Sequence, residues 1–264
     1  MLPRINKIQC YDADYLLFAT NDVISNVLYR TGYWEKYLID ISNFLLNDVQ
    51  APLVLDVGAN LGAYSIPLAK NISERKGKVI GFEPQRIIYY QLCGNIVLNG
   101  LDNYYAYNQA VGDYDGVIEV PEINYEANHN IGAFSLDSKY RSQLDVEKYM
   151  LPENSTIQMV RLDGLKINNE PSLIKIDVEG YELNVLKGSV NFLEKFNYPP
   201  ILFEAWNFKS FDEDRKELLD FVKYLGYEIS LNIGQEYIAQ HPKYSRYTKF
   251  LINADGSVRM LREK

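Results

Sequence analysis

LVLDVGANLGAYS, residues 53–65, reads as a buried strand that ends in a carboxylate, turns on two glycines and enters a helix. A continuous apolar run suits a strand covered on both faces. Glycine at the turn lets a ligand approach the backbone, beside the unpaired N–H groups of a helix N-terminus. The same rhythm recurs downstream. KVIGF (78–82), YYAYNQA (104–110), LIKIDV (173–178), ILFEA (201–205), YEISL (227–231) and KFLIN (249–253) are further strand-like runs. Helix-period stripes lie between them: Ile88, Leu92 and Ile96; Leu183, Leu186, Val190 and Leu193; Leu218, Phe221, Val222 and Leu225, with Gly226 placed for a left-handed cap. Pro67 predicts a kink or a late start for the helix after the turn. Strand–helix alternation at this spacing implies an α/β fold with a doubly wound sheet and helices on both faces.

Two places break the rhythm. Residues 117–162 hold two strand-like pieces around a polar loop, an insertion between the third and fourth core strands. The last two strands, 227–231 and 249–253, are joined by a segment without helical periodicity, which predicts that they pair antiparallel. The beginning reads differently. Residues 1–50 form an N-terminal extension, with a hairpin from 4–10 and 14–19 and helices over 22–30 and 34–47, Asp22 capping the first. Residues 51–264 form the main domain.

The chain has 264 residues, 47% apolar and 23% charged, which excludes wholesale disorder. Twenty-seven basic against 35 acidic side chains give a net charge of −8, which argues against a nucleic acid partner. Two cysteines, Cys10 and Cys93, make neither a disulfide framework nor a zinc site and fit a reducing, cytoplasmic compartment. The first twenty residues hold no apolar run of signal-peptide length, and no stretch of about 18 apolar residues predicts a membrane span.

Glu83 ends the second strand about twenty residues beyond the glycines, where an acidic side chain can accept the hydroxyls of a ribose. A dinucleotide site wants a second glycine beside the pyrophosphate. Asn60 stands in that slot and disfavours NAD. S-adenosylmethionine has no pyrophosphate but has an amino-acid end that needs polar partners, which Asp56, Asn60 and the Gly58 backbone can supply, with Gly62 opening the helix. An NAD(P)-dependent oxidoreductase on a similar sheet and a non-catalytic nucleoside-binding protein are the competing readings.

The second signature is LIKIDVEGYELNVLKGS, residues 173–189, which brings Asp177 and Glu179 to the carboxyl edge of an apolar strand. DVGANLG (56–62), GFEP (81–84), IKIDVEGYE with VLKGS (174–189) and ILFE (201–204) together resemble the FkbM-type methyltransferases, over about residues 51–232. The resemblance implies a class I, Rossmann-like methyltransferase with a seven-stranded sheet in the order 3-2-1-4-5-7-6, the seventh strand reversed, acting on hydroxyls of sugars and natural products. It implies that Asp56, Gly58, Asn60, Glu83 and the adjoining Pro84 hold S-adenosylmethionine. It places Asn108 to Asp113 near the adenine, and Asp177 and Glu179 near the transferring methyl. NDVISNVLYRTGYWE (21–35) looks like the segment that precedes the fold in some relatives, so Trp34 and Glu35 are candidates to close over the cofactor.

Methyl transfer from a sulfonium is an in-line displacement, and holding the reactants in line can supply ~7–11 kcal/mol of the barrier. An alcohol nucleophile also needs a general base or a metal. The Asn/Asp-Pro-Pro-Tyr turn of amine-directed relatives is absent after the fourth strand, which favours oxygen as acceptor. Asp177 or Glu179 is the expected base, directly or through a divalent cation that Glu204 would help to hold. His129, in the insertion loop, is a further candidate base. His241, with Lys243, Arg246 and Lys249 after it, reads as a solvated face. The expected partner is a small molecule or glycan bearing a hydroxyl.

Overall fold

The computed structural model describes residues 3–20, 22–126, 132, 134–143, 146–253 and 256–262. A hairpin of β1 (Ile5–Gln9) and β2 (Asp14–Phe18) comes first. Helix α1 (Val23–Thr31) starts where Asp22 Oδ2 accepts the Ser25 N–H at 2.9 Å, and stops at Gly32, whose φ is +71°. Helix α2 (Lys36–Leu46) follows. Tyr15, Leu17, Leu28, Leu38 and Leu45 from these elements join one buried cluster with Val54, Ile66, Leu68 and Leu173.

The first half of the sheet comprises β3 (Leu53–Val57), α3 (Ser65–Ser73), β4 (Lys78–Phe82), α4 (Arg86–Leu98) and β5 (Tyr104–Tyr107). Pro67 falls in the first turn of α3, where no intrahelical N–H is needed. The insertion carries β6 (Gln109–Val111), β7 (Gly116–Ile123), α5 (Ser138–Gln143) and β8 (Met150–Val160), and its strands form a separate sheet ordered β6-β8-β7. The second half runs through β9 (Pro171–Ile176), α6 (Glu182–Lys187), α7 (Val190–Lys195), β10 (Ile201–Glu204), α8 (Asp212–Tyr224), β11 (Glu228–Ile233) and β12 (Glu236–Gln240). A last hairpin, β13 (Thr248–Ile252) and β14 (Val258–Arg262), closes the chain. Arg262 anchors it by donating to the Phe44 and Leu45 carbonyls at the end of α2, at 3.0 and 2.6 Å.

The seven-stranded sheet has the order β11-β12-β10-β9-β3-β4-β5. β5, β4, β3, β9 and β10 are parallel, and β12 runs antiparallel to both β10 and β11. Strand order reverses between β3 and β9, which opens a crevice beyond their carboxyl ends. Side chains alternate across the sheet. Val54, Leu173 and Leu202 face the cluster shared with the N-terminal elements, while Leu55, Ile174 and Phe203 face a second cluster under α6, α7 and α8. Asp56 and Lys175 are register partners and share the first face.

Three elements depart from the sequence reading. The run 249–253 does not pair with 227–231. That place belongs to Glu236–Gln240, which returns directly through a tight turn at Gly234 (φ +64°). YYAYNQA breaks into β5 and β6 at Asn108, whose Nδ2 donates to the Glu83 and Pro84 carbonyls at 2.8 and 3.0 Å. The stripe from Leu183 to Leu193 is two helices, split at Gly188, where a Cβ would come within 1.9 Å of the Gly112 carbonyl oxygen.

Helix α4 presents an amide ladder to β2. Asn99 accepts from the Asp14 N–H at 3.0 Å and donates to the Asp14 carbonyl at 2.7 Å. Asn95 accepts from the Leu16 N–H and Gln91 donates to the Leu16 carbonyl, both at 2.7 Å. Four helical residues rise about 6 Å and two strand residues about 6.7 Å, so Asn95 and Asn99 meet alternate strand residues, while the longer Gln91 reaches the carbonyl side of Leu16. Asn95 also donates to the Leu61 carbonyl at 2.9 Å, tying the hairpin to the glycine turn.

Candidate active site

The carboxyl ends of β3, β4 and β9 open into a cleft of about 930 Å³, counted out to its solvent mouth. Its floor is the turn after β3, left-handed at Gly58 (φ +88°), Asn60 (φ +50°) and Gly62 (φ +89°). The Gly58 and Ala59 N–H groups both donate to the Phe82 carbonyl, at 3.0 and 2.9 Å. A Cβ on Gly58 would stand 1.7 Å from the Asp177 carbonyl oxygen, so glycine alone lets the ends of β3 and β9 approach this closely. Gly62 sits beneath the turn against Ile66 and Leu92, outside the cleft lining.

Glu83 knits two loops together. Its Oε2 accepts the Asn60 N–H at 2.9 Å and its Oε1 the Gln85 N–H at 2.8 Å. Each oxygen keeps a further acceptor site. Burial pushes this carboxyl up to about 7, against the pull of those two N–H groups. Pro84, Gln85, Phe134 and Leu136 line the cleft nearby. Asn108 lies behind it, holding the Glu83 and Pro84 carbonyls, and Asp113 is exposed outside the lining. The Asn60 side chain turns back, its Oδ1 accepting the Leu61 N–H at 2.7 Å.

Deeper in the cleft lies a charged group built around Lys175. This lysine is 3% exposed, its Nζ 2.5 Å from Asp177 Oδ2 and 5.2 Å from the centre of the Tyr64 ring. Burial alone would lower its pKa, but Asp177, Glu35, Asp56 and Glu236 together hold it well above the usual lysine range. Asp56 is 1% exposed, and neither of its oxygens has a hydrogen bond of good geometry. Burial raises its pKa, offset in part by Lys175 and Ser65. Glu35, in the left-handed region at φ +39°, turns its carboxyl inward, where burial pushes it up to about 7 against the attraction of Lys175. Its neighbour Trp34 lines the cleft.

Glu179 also lines the cleft and is left-handed at φ +56°. Burial, and then the nearby Asp177 and Glu182, raise its carboxyl well above the ordinary range. Glu182 holds the loop between β9 and α6, accepting the Val178 and Gly180 N–H groups at 3.0 and 3.2 Å. Glu204 stands outside the lining and accepts from the Trp206 indole at 2.9 Å. Burial, with Asp177 and Glu179 beside it, pushes its pKa strongly upward. Among the described residues, no three histidine, cysteine, aspartate or glutamate side chains are arranged to hold a metal ion. The cation-holding role considered for Glu204 is therefore not carried by this geometry. His129 lies outside the described residues. His241 is buried instead of solvated. It stacks on Tyr198 at 4.0 Å and accepts the Lys243 N–H at 3.0 Å.

Past Gly180 a second hollow, about 790 Å³ when counted out to open solvent, is lined by Tyr140, Trp206, Phe211 and Arg215 among others. Tyr140 meets Trp206 edge-on at 5.4 Å.

Sequence reasoning missed Lys175, because LIKIDV reads as a plain apolar strand. The available signal was its spacing of two from Asp177, which puts both on one face of an extended chain.

The buried carboxyls set an unusual pH dependence. Glu83 and Glu182 bind a proton more tightly folded (about 7 each) than unfolded (4.5). Their contribution to stability is therefore complete below pH 4.5 and is lost as pH rises through about 7. Urea midpoints of the ligand-free protein are expected to fall across that window, and Glu83→Gln to flatten the fall. A wild-type midpoint that rises steadily from pH 4.5 to 7 would contradict it.

Residues 56–229 match the family described as the Methyltransferase FkbM domain. Among curated proteins, the chain is similar to methyltransferase sdnD of Sordaria araneosa, 25% identical over 204 residues that cover 69% of this chain and 76% of that one. It is also similar to the hexuronic acid methyltransferase AglP of Haloferax volcanii, 28% identical over 163 residues, 60% of this chain and 59% of the relative. Among solved structures it is similar to methyltransferase FkbM from Methylobacillus flagellatus, with a TM-score of 0.47 and 21% identity. That likeness covers 73% of this chain and 44% of the other. No helix among the described residues is long and apolar enough to cross a membrane.

Proposed function

This chain belongs to the FkbM methyltransferase family, and on that premise we propose that it moves a methyl group from S-adenosylmethionine to a hydroxyl of a sugar, glycan or small natural product. The observation that carries the donor assignment is Asp56, a buried carboxylate whose two oxygens lack partners, in the same cleft as the turn clamped by Glu83. An orphaned buried acceptor is costly unless something donates to it, and the amino-acid end of this donor brings such groups. The unused acceptor sites of Glu83 suit ribose hydroxyls, and Phe134 and Leu136 offer apolar cover for a base. When bound, the donor supplies a methyl group activated by its sulfonium.

The chain's own residues do the rest. The Gly58–Gly62 turn and Glu83 fix the position of the donor. Asp177, held by Lys175 at the end of β9, receives the proton of the acceptor hydroxyl. Glu179 stands beside it at the cleft wall. The sugar reading draws support from the named activity of the Haloferax volcanii relative. The hollow beside Gly180, polar at its rim with aromatic rings at its base, is a suitable seat for the acceptor.

The test pairs binding with transfer. S-adenosylhomocysteine, and not NADH, should raise the thermal unfolding temperature, and labelled methyl should pass to a hydroxyl in a panel of sugars and glycosides. Stabilisation by NADH instead, or no response to S-adenosylhomocysteine by folded protein, overturns the donor assignment. Transfer to amines alone overturns the oxygen preference.

A further inference from the structure

Glu35 stands outside the residues that match the family, 56–229, and nothing in that match gives it a task. It precedes α2 in a left-handed conformation, which a non-glycine residue keeps only where its surroundings enforce it. Its side chain makes no capping bond to the helix that follows. Instead its carboxyl is buried behind the cleft wall, next to the lining residue Trp34 and close to Lys175 on β9, Asp177 just after it and Asp56 on β3. Lys175, the cation at this place among the described residues, is already engaged, its Nζ 2.5 Å from Asp177 Oδ2.

Three buried carboxylate oxygens are therefore left without donors: Oε2 of Glu35 and both oxygens of Asp56. Desolvated acceptors of this kind call for a positively charged donor with several N–H groups. A primary ammonium carries three. A metal ion is a poorer match, since no metal-holding group of three such side chains exists among the described residues.

We propose that Glu35 and Asp56 together receive the primary ammonium of a ligand bearing an α-amino-acid group. This rests on the donor assigned above, whose amino-acid end is the group received. The segment before the matched domain thus completes the donor site and reads the part of the donor that a free nucleoside lacks.

Calorimetric titration tests this with three ligands: S-adenosylhomocysteine; 5′-methylthioadenosine, which keeps the adenosine and sulfur but has no amino-acid end; and the S-adenosylhomocysteine analogue with hydrogen in place of the α-amino group. Glu35→Gln should weaken S-adenosylhomocysteine binding by roughly ten- to a hundredfold, the worth of a hydrogen bond to a charged group. It should leave methylthioadenosine and the deaminated analogue bound as in the wild type, which also shows that the variant is folded. Equal losses for all three ligands would make Glu35 a structural support, and no loss for any would remove it from the site; either overturns the proposal. A wild type that takes up none of the three defeats the donor assignment itself, and this proposal with it.

Discussion

Asp177→Asn is expected to lower kcat by roughly 10²–10⁴-fold, the span of a positioned proton acceptor, while S-adenosylhomocysteine affinity changes little. As the new C–O bond forms, the acceptor hydroxyl must give up its proton, and an alcohol does not ionise unaided near neutrality. Asp177 is fixed from both ends: its N–H donates to the Val57 carbonyl at 2.9 Å, and its Oδ2 is held by Lys175 at 2.5 Å. A quarter of its side chain (26%) stays exposed, so a carboxylate edge remains open to the cleft. Asparagine keeps the shape and cannot take the proton.

Glu179→Gln separates the two candidates. Burial, and then Asp177 and Glu182 nearby, raise the pKa of Glu179 well above the ordinary carboxyl range. If it were the acceptor, wild-type kcat would climb with pH as it ionised, and Glu179→Gln would abolish that climb. With Asp177 as acceptor, Glu179→Gln keeps most of its turnover in the neutral range. Wild-type turnover by Asp177→Asn would remove it from the reaction.

Gly58→Ala is expected to destabilise the protein by about 3 kcal/mol or more, combining left-handed strain with a backbone clash. The added methyl would fall 1.7 Å from the Asp177 carbonyl oxygen, and backbone cannot swing aside as a side-chain tip can. Relief requires β3 and β9 to part at the floor of the cleft, so any surviving protein should also lose its response to S-adenosylhomocysteine. Gly100→Ala is the internal control. Gly100 is left-handed too, at φ +65°, but apart from its own chain neighbours no atom lies within 4 Å of where its Cβ would stand. It should lose only the conformational part, about 1–2 kcal/mol. Urea unfolding measures both, and equal midpoints would show that the contact with Asp177 relaxes freely.

The sequence was most legible where structure is made locally. The turn at 53–65 is a strand, two glycines and a helix start in thirteen adjacent residues, and Glu83 follows from its place at the next strand end. Legibility fell where distant backbone decides. Nothing near Gly188 announces that the Gly112 carbonyl will press against it and divide a helical stripe. The run EYIAQ, 236–240, is short and mixed in polarity, so the more apolar 249–253 looked the better strand. Lys175 was hidden by its apolar neighbours. Glu35 was visible as a candidate, but its inward turn goes with a left-handed backbone angle (φ +39°) that no local residue pattern announces.

The ladder of Gln91, Asn95 and Asn99 bears on how this molecule behaves among copies of itself. A hairpin at the margin of a protein ordinarily presents a row of bare peptide groups that a stranger's strand can zip onto. Along β2, at Asp14 and Leu16, that row is already occupied by amide side chains. Fibre-like growth from this margin would first require α4 to lift away, and with it the Leu61 carbonyl that Asn95 secures. The same three side chains that seat the hairpin thereby close this edge of β2 to an incoming strand.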